Sequence, residues 1–146
     1  MTTMAARVRY DEVGVGTEIP SREFTVKRVD LLRFCGACSD YTMTHWNERV
    51  AKAVGLPDVI AHGTFTIAEA VRVVTDWVGD PGALVEYSVR RFSHPVVVPD
   101  DDEGARLDVR GRIEKKLDDN QVVVRLSASS GGREVMSGAR AVVRLA

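Results

Sequence analysis

The fourteen residues from Cys35 to Glu48, CGACSDYTMTHWNE, contain two cysteines, an aspartate and a histidine. Three kinds of chemistry use side chains of this type. Thiolates and imidazoles bind zinc, a CxxC pair forms a redox disulfide, and a carboxylate beside an imidazole transfers protons. Each chemistry requires different surroundings, so the neighbouring sequence decides between them.

A zinc site here would use Cys35, Cys38, His45 and His62 as ligands. Structural zinc sites usually combine a CxxC with a second closely spaced pair, whereas these two histidines stand 17 residues apart. We therefore expect no metal, and no other cofactor.

Redox chemistry fits the two cysteines no better. A reactive CxxC needs a thiolate at the N-terminus of a helix, but Cys35 and Cys38 fall at the end of a predicted helix, where the helix dipole disfavours thiolate. We expect both cysteines to act as small apolar packing residues on one helical face.

Asp40 and His45 stand five residues apart, in a loop between two predicted helices. Elimination of water from a β-hydroxyacyl thioester needs one group that removes the α-proton and another that protonates the departing hydroxyl. A carboxylate and an imidazole on one loop can do both. A capping aspartate next to a half-buried histidine would produce the same spacing, so the pair alone does not decide.

The dipeptide His62-Gly63 opens a strongly apolar helix and supports the catalytic interpretation. Backbone N–H groups near Gly63 would lie at the positive end of that helix, where they can stabilise a thioester oxygen that gains enolate character. Glycine also allows a substrate to approach the backbone closely. The alternative is that Gly63 only shapes the turn into the helix and that His62 packs beside it.

These residues need elements that hold them in place, and the hydrophobic pattern predicts several. A strand is expected over 23–29, a helix over 30–38 capped by Asp30, and a second helix over 47–55 capped by Asn47. The clearest helix follows His62, with apolar residues at spacings of three and four before Gly79 ends it. The β-branched segments that follow predict strands, and they are ALVEYSVRRF, PVVVP, ARLDVRGRIEKKL, QVVVRLSAS and EVMSGARAVVRLA.

Short turns between these strands favour an antiparallel sheet, and a helix this apolar must pack against it. We predict an α+β fold, a single hot-dog domain over residues 1–146 in which an antiparallel sheet wraps around the central helix. The long sheet edges favour pairing with a second copy or a related subunit.

Composition excludes several other classes of function. Twenty basic and twenty-one acidic residues leave a net charge of −1, with no basic stripe, which argues against nucleic-acid binding. No apolar run approaches the roughly 20 residues of a membrane helix, and the N-terminus has no apolar signal core. We expect a cytoplasmic protein.

The chain resembles the MaoC-type (R)-specific hydratases and dehydratases, particularly the catalytic subunits of actinobacterial (3R)-hydroxyacyl-ACP dehydratases. The segments VGLPDVIAHG, VTDWVGDPGA, VEYSVR, PVVVP and AVVRLA carry the resemblance, which runs from about Tyr10 to Ala146. It implies catalysis by Asp40 and His45, with the Gly63 N–H holding the thioester carbonyl. It also implies an acyl chain on acyl carrier protein or coenzyme A, and a homodimer or a heterodimer with a second hot-dog subunit.

The loop departs from the family pattern, which reads approximately G-D-x-N-P-[IL]-H. Ser39 stands in place of glycine, Thr42 in place of asparagine, and Met43 and Thr44 in place of a Pro-Ile pair, so proline does not rigidify the loop. Thr42 and Trp46 are therefore candidate substrate-loop residues, although packing would equally explain Trp46. The doubled arginine at 90–91 predicts a β-bulge or a contact with a carrier.

The predicted activity is reversible elimination of water from an (R)-3-hydroxyacyl thioester. His45 is expected to act as the base at the α-carbon, while Asp40 binds and protonates the hydroxyl; the opposite division of roles stays open. Two alternatives remain. One is a dehydratase specialised for polyketide or other natural-product chains, and the other is a noncatalytic hot-dog subunit that binds an acyl chain.

Overall fold

A sheet of antiparallel strands packs around one long helix, which spans residues 63–78. The computed structural model describes residues 7–146, so residues 1–6 of the predicted domain lie outside the described part. Within it the elements are β1 (Glu18–Val26), α1 (Arg28–Cys38), α2 (Glu48–Ala53), α3 (Gly63–Val78), β2 (Leu84–Ser88), β3 (Arg91–Phe92), β4 (Ala105–Lys116), β5 (Gln121–Ser130) and β6 (Arg133–Arg144). Single 3₁₀ turns occur at Tyr10–Glu12, Met43–His45 and Pro81–Ala83.

All strand pairings among residues 7–146 are antiparallel, in the order β1-β4-β5-β6-β2, and β3 also pairs with β6. The inward face of this sheet is apolar because alternate residues of β4 and β5 are buried. Helix α3 buries one face against it through Thr66, Ala70, Val73, Val74 and Val78. Each fully buried valine contributes about 1.5–3 kcal/mol relative to exposure. The predicted α+β arrangement, a sheet around a central apolar helix, is confirmed.

The helix ends follow their capping residues, with one difference. Asn47 accepts a hydrogen bond from the Val50 N–H at the start of α2, as predicted, and Gly79 ends α3 with a φ of 76°. Asp30 does not cap α1, which begins two residues earlier; its carboxylate instead accepts from the Lys27 N–H over 2.9 Å. The first N–H groups of a helix have no partner within the helix, and an aspartate in the first turn can accept from one of them just as a capping aspartate can.

The predicted strand over 23–29 was misplaced. The strand β1 begins at Glu18 and ends at Val26, and α1 already begins at Arg28. The segment PVVVP is not a strand of the sheet and makes one isolated bridge, between Val97 and Ile60. Proline at both its ends removes two N–H donors, which disfavours continued pairing. Its carbonyls and amides instead hold residues 59–61, with Ala61 N 2.9 Å from Val96 O and Val98 N 2.8 Å from Val59 O.

No bulge lies at Arg90 itself. The pairing continues without an inserted residue from Ser88 opposite Arg140 to Arg91 opposite Ser137. The irregularity lies in β6, where Gly138 has a φ of 64°. A Cβ on this glycine would lie 2.7 Å from the Arg90 Cβ, so Gly138 makes room for the Arg90 side chain.

Arg28 connects three segments around the base of the loop over 39–47. One of its terminal nitrogens (NH2) is 2.5 Å from Asp58 and 3.1 Å from Glu48, and its Nε donates to the Val98 carbonyl over 3.2 Å. These charge-assisted bonds fix the start of α1 relative to α2 and the segment before α3. Among the helices of residues 7–146, none combines the length and apolarity needed to cross a membrane.

Candidate active site

The loop after α1 turns sharply at two residues. Ser39 has a left-handed φ of 58°, and the Asp40 Oδ1 then accepts hydrogen bonds from the Thr42 N–H at 3.1 Å and the Thr42 hydroxyl at 2.6 Å. An aspartate that bonds the backbone two residues on forms a self-contained turn. The hydrogen bonds from Thr42 hold the pKa of Asp40 below its ordinary value of 3.8, so the carboxylate is ionised near neutral pH.

His45 closes the 3₁₀ turn and is held by the segment before α3. Its Nδ1 lies 2.7 Å from the Ile60 carbonyl oxygen, and Ile60 N donates in return to the Thr44 carbonyl over 3.1 Å. A carbonyl only accepts, so His45 carries its hydrogen on Nδ1 when neutral, and Nε2 has the free lone pair.

Asp40 and His45 come together as the spacing predicted, and His62 joins them. One carboxylate oxygen of Asp40 and one ring nitrogen of each histidine all lie within 4.8 Å of one another. The His62 ring stacks on the His45 ring, with centroids 3.7 Å apart and planes at 24°. From the sequence, His62 was considered as a zinc ligand and as a residue that packs beside Gly63, and its position directly before Gly63 was the one signal that placed it near the site.

A cavity of about 370 Å³ opens beside His45 and Gly63. Its remaining wall is mainly apolar, formed by Leu56, Ile60, Ala61, Thr66, Phe92, Ser93, His94, Pro95, Val96 and Val135. Gly63 is the first residue of α3, as predicted, so the positive end of the helix faces this cavity. Asp40 lies outside the cavity wall.

A larger groove of about 630 Å³ crosses β1, β4 and β5 but contains no histidine.

Three wall residues were not identified from the sequence. A Cβ added to Gly63 would lie 2.8 Å from the Phe92 ring tip, so this ring occupies the space above the glycine. The Ser93 hydroxyl is buried and has no hydrogen-bond partner among the described residues. His94 lines the cavity, with its Nδ1 2.9 Å from the Glu134 carbonyl. These three residues directly precede PVVVP, and the hydrogen bonds of PVVVP to residues 59–61 bring them beside the start of α3.

The two candidate loop residues lie at the surface. The Trp46 indole N–H donates to the Tyr41 carbonyl over 2.9 Å and so braces the loop. The ring is 40% exposed and lies outside the cavity wall. Thr42 contacts the site through its hydrogen bonds to Asp40.

The two cysteines differ in their surroundings. Cys35 is fully buried, as expected for a packing residue, and burial raises the pKa of its thiol. Cys38 is exposed, so the prediction that both pack on one face was wrong for it. Residues three apart normally share a helix face, but Cys38 is the last residue of α1, where its side chain is left exposed.

Asp40, His45 and His62 offer atoms of the kind that bind metals. Zinc ligands converge on a centre about 2.0–2.1 Å from each nitrogen. Two stacked imidazoles direct their in-plane lone pairs alongside each other rather than toward one centre. The stacking therefore favours a proton-transfer pair with a supporting ring over a metal site.

Comparison with known proteins identifies the family. A model described as "MaoC like domain" matches residues 13–131. The chain belongs to the MaoC-like domain family. Over 80 residues this MaoC-like domain is 34% identical to 3-hydroxyacyl-thioester dehydratase X of Mycobacterium tuberculosis, a match that covers 55% of the chain and 27% of that protein.

Solved structures share the fold of this MaoC-like domain. A MaoC-like dehydratase superposes with a TM-score of 0.91 at 34% identity, over 97% of this chain and 43% of that one. The C-terminally truncated HadBC (3R-hydroxyacyl-ACP dehydratase) complex of M. tuberculosis gives a TM-score of 0.66 at 24% identity, over 88% of this chain and 94% of that one. The MaoC-like domain thus spans less than half of the length of 3-hydroxyacyl-thioester dehydratase X and of the MaoC-like dehydratase.

Proposed function

We propose that this protein is a hydro-lyase that interconverts (R)-3-hydroxyacyl and 2-enoyl thioesters. The observation that carries the proposal is that His45 and the α3 N-terminus at Gly63 line one mainly apolar cavity, while the Asp40 carboxylate lies within 4.8 Å of a His45 ring nitrogen. These groups supply a base, an anion-stabilising N–H and a hydrogen-bond acceptor for the hydroxyl, and the base, once protonated, can return its proton to the departing oxygen.

In the dehydration direction, His45 Nε2 removes the α-proton, and the enolate-like thioester oxygen accepts a hydrogen bond from the Gly63 N–H. The 3-hydroxyl donates a hydrogen bond to Asp40. The protonated His45 then gives its proton to the 3-hydroxyl oxygen. The C–O bond breaks, the double bond forms and water leaves. We expected Asp40 to protonate the hydroxyl; its lowered pKa instead supports a role as acceptor, because an ionised carboxylate has no proton to give.

The proposed substrate is an acyl chain carried as a thioester on acyl carrier protein or coenzyme A. Support comes from the relative named 3-hydroxyacyl-thioester dehydratase X and from the apolar wall of the cavity. The name of HadBC refers to an acyl-ACP substrate, but at 24% identity it supports only the fold. Both carriers therefore belong in the assay.

We propose a second hot-dog subunit, identical or related, on the edge formed by β2 and β3. Val85 and Phe92 on this edge are 51% and 47% exposed, and Phe92 also lines the cavity. Open edges with exposed apolar side chains are pairing surfaces. Replacing Val85 with lysine should lower the oligomer fraction in light scattering. The control Val15→Lys, at a residue that is 67% exposed and lies away from this edge, should not.

The decisive experiment measures hydration of crotonyl and longer 2-enoyl thioesters on both carriers. The purified protein is assayed alone and with any hot-dog protein encoded beside it, and the product is resolved for its stereochemistry. We expect loss of the enoyl absorbance and formation of the (R)-3-hydroxy product. Tight acyl binding without turnover in every combination would instead identify a noncatalytic subunit.

A dehydratase specialised for polyketide or other natural-product chains is the second candidate. It is favoured by the unpartnered Ser93 hydroxyl and by His94 in an otherwise apolar wall, because an oxygenated acyl chain would supply hydrogen-bond partners there. Comparing kcat/KM for plain and oxygenated enoyl thioesters tests this candidate. A higher value for the oxygenated series is expected, and equal values would reject it.

A further inference from the structure

His62 has no role in the proton transfers described above, yet it is buried between the groups that carry them. Its side chain is 1% exposed, and it directly precedes Gly63 at the start of α3. Its Nε2 lies 3.1 Å from the main-chain oxygen of Asp40. Because that oxygen only accepts, the hydrogen of the neutral ring lies on Nε2. His62 thus connects the N-terminus of α3 to the backbone of the aspartate.

The His62 ring also restrains His45. The Ile60 carbonyl holds His45 in the plane of its ring, at Nδ1. The stacked His62 ring, 3.7 Å away, covers one face of His45 and restrains it perpendicular to that plane. Phe34 packs edge-on against His62 with centroids 5.0 Å apart, so the supporting ring is itself held in place. Together these contacts fix the direction in which His45 Nε2 points.

One nitrogen of His62 is left without a partner. Nδ1 is buried and has no hydrogen bond among the described residues. A buried acceptor without a donor destabilises the folded state, whereas an apolar ring of similar shape would not. Stability alone therefore does not explain a histidine here, and residues that are worse for stability than an apolar substitute are typical of functional sites.

Burial, rather than the neighbouring charges, keeps the His62 ring neutral. Burial is the main cause that lowers its pKa from 6.5, and the facing His45 lowers it further, while Asp40 acts in the opposite direction. The remaining titratable neighbour is Cys35, whose Sγ is 3.6 Å from Nε2 and whose own pKa is raised by burial, so it is an uncharged thiol. A neutral His62 can keep both its N–H donation and its stacking at neutral pH.

We propose that His62 is a positioning residue of the dehydratase site, which holds the Asp40 backbone through Nε2–H and sets the orientation of His45 through its ring face. The inference rests on the proposed function for its kinetic consequence, but the positioning itself is measurable without substrate.

The kinetic test compares three substitutions in the full chain. His62→Phe keeps a ring but loses the donor, and His62→Gln keeps an N–H near the position of Nε2 but loses the stack. Cys35→Ala, the control, removes the other neighbour of Nε2. Small misplacements of reacting groups can cost as much as about 100-fold in rate. We expect His62→Phe to lower kcat by at least about 10-fold with KM within about 3-fold, His62→Gln to recover part of the loss, and Cys35→Ala to stay within about 2-fold of the wild type.

The substrate-free test uses ring nitrogen NMR and amide hydrogen exchange. We expect the neutral His62 ring to carry its hydrogen on Nε2 and the neutral His45 ring to carry its hydrogen on Nδ1. We also expect faster exchange of the amides of residues 40–46 in His62→Phe than in Cys35→Ala. A His62 protonated on Nδ1, or unchanged exchange in His62→Phe, would overturn the proposal. If the wild type turns over no thioester, the proposed function fails while these two measurements still decide the positioning role.

Discussion

His45 and Ile60 are joined by a 2.7 Å hydrogen bond from the imidazole Nδ1–H to the main-chain oxygen. This single bond determines which nitrogen of His45 can act as a base, and it links the loop over 39–47 to the segment that leads into α3. The dyad and the helix N-terminus are therefore parts of one connected unit.

Substitution of either member of the dyad should abolish most activity. We expect Asp40→Asn and His45→Gln each to lower turnover by at least about 100-fold, because proton transfer by a placed side chain typically contributes that much or more. Circular dichroism and thermal melting of the same samples should match the wild type. Near wild-type turnover in either folded variant would refute the assignment of that residue.

Thr42→Val should raise the pKa of Asp40. The Thr42 hydroxyl bond is the largest cause that lowers this pKa, and the valine variant lacks it. If ionised Asp40 is required, activity is lost as pH falls through its pKa, so the acid limb of the kcat/KM profile should move to higher pH. Thr44→Val is the matched control, because none of the described hydrogen bonds uses the Thr44 hydroxyl, and an equal shift in both variants would exclude the proposed cause.

Gly63→Ala separates two reasons for a glycine at the start of α3. The added methyl group would meet the Phe92 ring at 2.8 Å, and such overpacking typically costs about 1–3 kcal/mol. The methyl group would also occupy the space through which a thioester approaches the Gly63 N–H. We expect lower thermal stability and lower kcat/KM.

The double variant Gly63→Ala with Phe92→Leu should recover the melting temperature but not the kcat/KM, because leucine removes the ring contact and leaves the approach to the N–H obstructed. Phe92→Leu alone provides the reference. Full recovery of kcat/KM would mean that Gly63 serves only to accommodate Phe92.

Arg28→Met should destabilise the fold. It removes a guanidinium that is 20% exposed, pairs with Glu48, Asp58 and Asp100 and donates to a main-chain carbonyl. Hydrogen bonds to charged groups typically contribute about 1.5–3 kcal/mol. Urea unfolding measures the loss. Arg33→Met is the control, because Arg33 is 74% exposed and pairs only with Asp30 among the described ion pairs, and we expect a change within about 0.5 kcal/mol.

Sequence reasoning succeeded where the signals are local. The end of α3 at Gly79 and the cap of α2 at Asn47 depend on neighbouring residues, and both were predicted correctly. The central helix within an antiparallel sheet followed from periodicity and turn chemistry. The Asp40–His45 proximity was predictable because five residues of loop keep the two side chains close.

Contacts between distant segments could not be predicted in the same way. The stacking of His45 on His62 depends on residues 59–61 lying along PVVVP, and β-branched composition wrongly predicted a sheet strand there. His94 enters the cavity wall through the same fold-back. The position of Arg90 over Gly138 depends on a positive φ in β6, which the residues around Arg90 do not encode.

The support of His45 by Ile60 makes the site respond differently to two kinds of sequence change. The acceptor and the donor of Ile60 are main-chain atoms, so replacing its side chain removes neither of them. An inserted or deleted residue between Gly55 and Gly63 would shift both atoms along the chain. The geometry of the proton-transfer pair is thus tied to the length of this connection rather than to its composition, and His45 keeps its orientation without a proline in the loop over 39–47.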